Sequence, residues 1–257
     1  MQDATPTADN PYALFGDTVE QAQPDVRLAF VRKTYFHLAA AIYAFAALEW
    51  FYFSSGLAEQ FVPWFLSIPY SMLIMLGAFI GVGWIADSWA RSDTSPSLQY
   101  AGLMLYVVFE SIIILPLLWF ANMQTISIKG MDPNTVTAWE VGVIPAAAFT
   151  TLVLFGALTA IPWLTGKDFS FLGAALGILS VGAFALIAAS FFIDMHLGVW
   201  FTVAMIVLAA MYILYDTSQV MKHYKPTQHV AASLALFASV ALMFWYVLQL
   251  FMSFSDD

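Results

Sequence analysis

Cysteine is absent from the chain, which excludes disulfides, thiolate metal sites and cysteine nucleophiles together. Charge is scarce as well: Asp, Glu, Lys and Arg make up 10% of the 257 residues, against about 25% in a soluble domain. Hydrophobic residues account for 61%, and the mean hydropathy is +0.80. Such a surface has little polar area to offer water, so its solvent is lipid. Walker, Gly-x-Ser-x-Gly and His-Glu-x-x-His motifs are missing, and with them the nucleotide, nucleophile and metal chemistries they support. A retinal Schiff base needs a lysine in the last apolar run, and residues 230–253 contain none. Haem held between helices needs paired intramembrane histidines, and only His37 lies near. No enzymatic activity, cofactor or metal site is expected.

What is present is long apolar runs. A hydrocarbon core takes roughly 20 mostly apolar residues per helix, and seven such runs are found, at about 33–54, 64–86, 98–120, 141–163, 169–192, 197–219 and 229–253. This is the pattern of an all-α membrane protein with seven transmembrane helices. The breaks carry turn chemistry: Ser54-Ser55-Gly56, the stretch from Arg91 to Pro96, a long loop around Lys129-Gly130-Met131-Asp132-Pro133-Asn134, and a tight link at Asp194-Met195-His196. Thr165-Gly166-Lys167-Asp168 reads as a helix stop followed by an N-cap. Gly77 with Gly81, and Gly173 with Gly177, have the spacing that lets membrane helices approach closely. Trp64, Trp84, Trp89, Trp139, Trp163 and Trp200 fall near span ends, as an aromatic belt requires. Pro116 and Pro145 fall in or near spans that they can kink.

Basic residues stay in the cytoplasm, and the eight Lys and Arg sort accordingly. Arg27, Arg32, Lys33, Arg91, Lys167, Lys222 and Lys225 share one side, and Lys129 alone falls on the other. The N-terminus is therefore expected inside and the C-terminus outside. The net charge of −9 is concentrated at the ends, in Asp3, Asp9, Asp17, Glu20 and Asp25 and in Asp256 and Asp257. Residues 1–26 thus read as an acidic, flexible cytoplasmic tail, and 27–257 as the membrane domain. The tail carries no signal-peptide core. Its charge disfavours nucleic acid and suits a basic partner, such as another membrane protein. No organellar signal is seen, and a bacterial inner membrane is the expected location.

Ionisable groups inside spans cost about 2.5–3.5 kcal/mol each to insert and mark function by default. Three stand out: Glu49 in the outer half of the first span, Glu110 in the middle of the third and Asp216 near the inner end of the sixth. No lysine or arginine lies mid-span to pair with them. Each is therefore protonated, reached by water or bound to a cation. The competing reading is structural: Asp216 as an interface acid beside Lys222, Glu49 reaching outer water, Glu110 in a local hydrogen bond. His37 reads as interfacial, and His223 and His229 as solvent-facing.

Several motifs, in order, resemble the Bax inhibitor-1 family. Phe30-Val31-Arg32-Lys33-Thr34-Tyr35 is similar to the start of its first helix, and Phe109-Glu110-Ser111 with Pro116 to its third-helix pattern. The run from Ala148 to Thr151, and then Thr165-Gly166-Lys167-Asp168-Phe169-Ser170-Phe171-Leu172-Gly173, resembles its fourth-to-fifth junction. Met211-Tyr212-Ile213-Leu214-Tyr215-Asp216-Thr217 resembles its sixth-helix signature. The likeness covers about residues 28–254. It implies a last helix surrounded by two three-helix layers, and a pH-sensitive calcium leak through a pair of aspartates that titrate as a unit. Asp216 matches the first aspartate. Where the second belongs this chain has Ser239, and residues 229–253 hold no carboxylate. Gln249 replaces a frequent arginine, and no buried arginine is found in the second span to lock Asp216.

Two functions follow. In one, the protein is a passive cation leak, with Ca2+ as the ion and Asp216, Glu110, Ser239 and Glu49 along its path. In the other, it is a non-transporting regulator or accessory subunit of a membrane complex, as some bacterial family members restrain a membrane protease, with the acidic tail as its docking arm.

Overall fold

A computed structural model of the chain describes residues 18–92, 95–129, 142–193, 195 and 197–255. Outside these lie the tail acids Asp3, Asp9 and Asp17, the loop residues Gly130, Met131, Asp132, Pro133 and Asn134, Trp139, the link residues Asp194 and His196, and the terminal Asp256 and Asp257. Among the described residues there are eight helices and no strand. They are α1 (Pro24–Ser54), α2 (Leu57–Ser67), α3 (Ser71–Ala90), α4 (Pro96–Lys129), α5 (Val143–Thr165), α6 (Leu172–Ile193), α7 (Gly198–Lys222) and α8 (His229–Ser255). All but α2 are long and apolar enough to cross a membrane.

α1 begins nine residues before the apolar run that announces it. Pro24 takes the first turn, where a missing N–H costs nothing, and Asp25 beside it faces the positive end of the helix dipole. The boundary drawn at residue 26 therefore falls inside this helix. α1 stops at Ser55-Gly56, where Gly56 adopts φ 73° and Ser55 Oγ returns a hydrogen bond to the Phe51 carbonyl at 2.6 Å.

The second apolar run is divided. Its first residues belong to α2, which the hydropathy pattern had merged with the span behind it. Pro69, which has no N–H, and Tyr70, at φ 59°, turn the chain between Ser67 and Ser71. The 11 residues of α2 reach only about 17 Å, too short to cross. Ala58 and Val62 anchor it on Leu115 of α4.

α8 has the least contact with lipid. Of its apolar stretch 72% is buried within the protein, against 11% for α3 and for α6. It packs on α1, α3 and α4 from one layer and on α5 and α7 from the other, while α6 leans on α7. Outward residues such as Trp84 and Trp200 are broadly exposed, as lipid-facing positions are. Pro116 sits inside α4, and Pro145 falls in the first turn of α5, where it breaks no intrahelical bond.

The expected close approaches at paired glycines are corrected here. A methyl group on Gly77, Gly81 or Gly177 would meet open space, so these residues face outward. Only Gly173 of the four has a close neighbour: a Cβ added there would lie 3.0 Å from the Tyr215 ring. The tightest crossing is at Gly102, where an added Cβ would lie 2.5 Å from the Ala86 carbonyl oxygen and 2.8 Å from the Ala90 nitrogen. Both obstacles are α3 backbone and cannot rotate away. Gly102→Ala is expected to destabilise the protein by about 1–3 kcal/mol, lowering its thermal midpoint in detergent, while Gly77→Ala leaves that midpoint unchanged.

Candidate functional site

α1 starts at the same end of the bundle as the α3–α4, α5–α6 and α7–α8 turns, and Asp216 lies near that end. Six residues separate it from Lys222, the last of α7, or about 9 Å along the axis. It is 8% exposed, at one wall of a pocket of about 130 Å³ lined by Arg91, Tyr215, Asp216, Gln219, His223, Tyr224, Gln228 and Ala235. Ser239 Oγ on α8 donates a hydrogen bond to Asp216 Oδ2. Ser239 thus serves Asp216 as a hydrogen-bond donor.

No arginine lies within the second span, but one approaches the Asp216 pocket from the end of α3. Arg91, which reads in sequence as a loop charge, caps α3 and lines the Asp216 pocket. Its Nε donates to both Asp87 oxygens, at 2.9 and 2.8 Å, from one turn away. Its guanidinium also lies 5.5 Å from the centre of the Tyr224 ring and donates to the Tyr224 hydroxyl at 3.5 Å. Burial alone would lower the Arg91 pKa, but Asp87 and Tyr224 reverse this and hold the group charged. Burial pushes the Tyr224 phenol up, against the pull of Arg91, so it stays protonated. The field of Arg91 reaches Asp216. The Asp87–Arg91 spacing of four was the available signal; that α3 would end against α7 and α8 was not.

Two of the sequence motifs form one joint. Gly166, at φ 66°, ends α5, and the turn that follows docks on α7. The Phe169 N–H donates to Ser218 Oγ at 2.9 Å, and His223 Nε2 meets Asp168 Oδ2 at 3.1 Å. Asp168 does not cap α6, which starts only at Leu172; its Oδ1 accepts the Ser170 N–H at 2.9 Å instead. Gln219 donates to the Tyr215 hydroxyl at 2.7 Å. His223 is thus solvent-facing and bonded at once. His229 lies with its ring 5.1 Å from that of His37, which itself meets the Tyr100 hydroxyl at 3.1 Å.

Glu49 and Glu110 make a second acidic centre. Glu49 is 1% exposed and Glu110 6%, and Glu49 lies in the field of Glu110. Among the described residues, both Glu49 oxygens and Oε2 of Glu110 have no hydrogen-bond partner. Tyr106, one turn before Glu110 on α4, shares a hydrogen bond with it and lies within electrostatic range of Asp216 as well. Just beyond the pair, the Tyr52 hydroxyl and Ser111 Oγ approach to 3.4 Å across α1 and α4. A proton or a bound cation would relieve the repulsion within such a pair. By rise per residue Glu110 lies about 21 Å into α4 from Pro96, and Glu49 about 8 Å from the far end of α1. The acids are therefore spread across the bundle, with Tyr106 between Asp216 and the glutamate pair. Tyr106 went unnoticed in the sequence although its spacing of four from Glu110 places them on one helix face.

A family model described as "Inhibitor of apoptosis-promoting Bax1" matches residues 27–256. The chain is also similar to "Bax inhibitor 1" of Schizosaccharomyces pombe, at 26% identity over 241 residues, which cover 90% of this chain and 79% of that protein.

Slight burial opposes, but hydrogen bonds from Ser170 and His223 prevail, and Asp168 is held below the usual carboxylate range. A carboxylate lowered in the folded state contributes stability above its unfolded pKa and loses it as pH falls through the folded value. The stability of the wild type over Asp168→Asn is therefore expected to be present at neutral pH, to start falling near about pH 4 and to be gone only below the lowered folded-state value. Thermal unfolding in detergent across the acid range measures it.

Proposed function

Because the chain belongs to the Bax inhibitor-1 family across residues 27–256, we propose that it is a passive cation leak, with calcium as the ion and Asp216 in the conducting path. The observation that carries this reading is the Asp216 pocket: a carboxylate buried to 8% exposure yet lining a polar recess of about 130 Å³ at one end of the bundle. From there the ion passes Ser239 and then Glu110 and Glu49, whose unpartnered oxygens suit a hard, oxygen-seeking cation. Arg91 acts as the brake, because its guanidinium competes with the ion for Asp216. With Ser239 rather than an acid opposite, Asp216 titrates as a single group and not as half of a pair. The protein performs no chemistry on the ion. It lies in a bacterial inner membrane with its N-terminus in the cytoplasm, the orientation that the basic residues favour.

A second reading makes the protein a non-transporting regulator of a membrane complex. The Ser239 hydrogen bond favours it, since an acid already satisfied by a neighbouring hydroxyl needs no cation. In that case the acidic N-terminal tail docks the partner.

Calcium entry into liposomes holding the purified protein, from about pH 6 to 8, decides between them. Asp216→Asn is expected to cut the flux about tenfold or more, and Glu110→Gln to lower it as well, since each removes a charge that the desolvated ion needs. Flux equal to that of empty liposomes for wild type and variants alike would retire the leak reading. Proteins that co-purify in mild detergent and are lost on deleting residues 1–17 would then support the regulator.

A further inference from the structure

The α7–α8 turn, which carries His223 and Tyr224 into the wall of the Asp216 pocket, is held from outside by the chain ahead of α1. The last carbonyls of a helix have no donors within it, and here another segment supplies them. The Val19 N–H donates to the Tyr224 carbonyl at 2.9 Å, and the Glu20 N–H to the Lys222 carbonyl at 3.3 Å. The Glu20 carboxylate lies 3.7 Å from Lys222 Nζ. The Val19 side chain is 0% exposed and packs in one cluster with Val220, Tyr224, Val230 and Ala231. A tight turn fixes the segment, with the N–H groups of Gln21 and Ala22 both donating to the Thr18 carbonyl at 3.1 Å. It then runs directly into Pro24 and α1.

Tyr224 is thus gripped from two sides. Its backbone carbonyl is bound by Val19, and its ring and hydroxyl by Arg91. Beyond these two grips the turn is held by the His223–Asp168 contact at 3.1 Å and by local bonds such as Gln228 N–H to the Lys225 carbonyl at 2.9 Å, and neither of these two involves Tyr224. We infer that residues 18–23 form a strap that keeps the α7–α8 turn seated and so sets access from solution to the Asp216 pocket. Release of the strap at Val19 frees Tyr224 to swing out while the membrane helices stay in place. The functional meaning of this strap rests on Asp216 lying in the conducting path, but access can be measured without any flux.

A chain without cysteine is a ready background for the measurement. Ala235→Cys places one thiol in the pocket wall. Ala58→Cys places another in a fully buried site at the opposite end, where it reports general loosening. Each is combined with Val19→Asp, with the milder Val19→Ala, and with deletion of residues 1–22. The rate of reaction with a small water-soluble methanethiosulfonate is then followed by mass spectrometry. Loss of the buried valine contact is expected to speed labelling at Ala235→Cys by about tenfold or more in Val19→Asp and in the deletion, and by less in Val19→Ala. Labelling at Ala58→Cys is expected to stay unchanged. Equal rates at Ala235→Cys with and without the strap would overturn the inference, and so would a parallel rise at both cysteines. Calcium flux in the same variants keeps the two claims apart: faster labelling without any flux retains the strap and discards the leak.

Discussion

A helix enclosed by other helices gives up its contact with lipid, and the rest of this structure depends on α8 being enclosed in that way. Hydrocarbon offers no hydrophobic drive between apolar helices, so close fit and a few polar contacts must hold α8 in place. The fit around it is close: Ala231, Ala232, Leu236, Met243 and Leu248 are almost wholly buried. The polar contacts are few. Ser239 bonds Asp216 on α7, and the amide of Gln124 on α4 bonds the Met252 carbonyl at 3.1 Å. Because α8 touches both layers, each buried acid that approaches it is shielded from lipid and from bulk water at once.

Arg91 with Asp87 is a half-exposed pair, of little consequence for stability by itself. Here the same guanidinium ends α3, lies over the Tyr224 ring and projects its field on Asp216. The single cation thereby connects α3, the α7–α8 turn and the acid inside α7. The glutamate pair has no comparable cation beside it among the described residues.

The likeness to one family rests on short motifs far apart in the chain, and the structure gives two of them a shared physical role. The turn around Asp168 and the helix end around Tyr215 and Ser218 meet as donor and acceptor, with Gly173 leaving room for the Tyr215 ring. Such a joint accepts few substitutes, because each part is matched to the other in size and hydrogen-bonding capacity. The likeness gives a family and a fold. The proposed ionic path and strap rest instead on the contacts of this chain's own side chains.

Hydropathy and spacing alone decided the class of protein, the seven crossings and the acids worth watching, because the cost of placing a polar group in hydrocarbon is written residue by residue. The division between α2 and α3 was legible in principle, in Pro69 beside an exposed tyrosine, but a hydropathy window averages over such a break. Four decisions belonged to the tertiary structure: that Arg91 faces Asp216, that Tyr106 lies between Asp216 and the glutamates, that Gly102 is the close crossing, and that Val19 is buried on the α7–α8 turn. Each depends on which helix faces meet, and apolar helices that look alike to lipid reveal this only once they have packed.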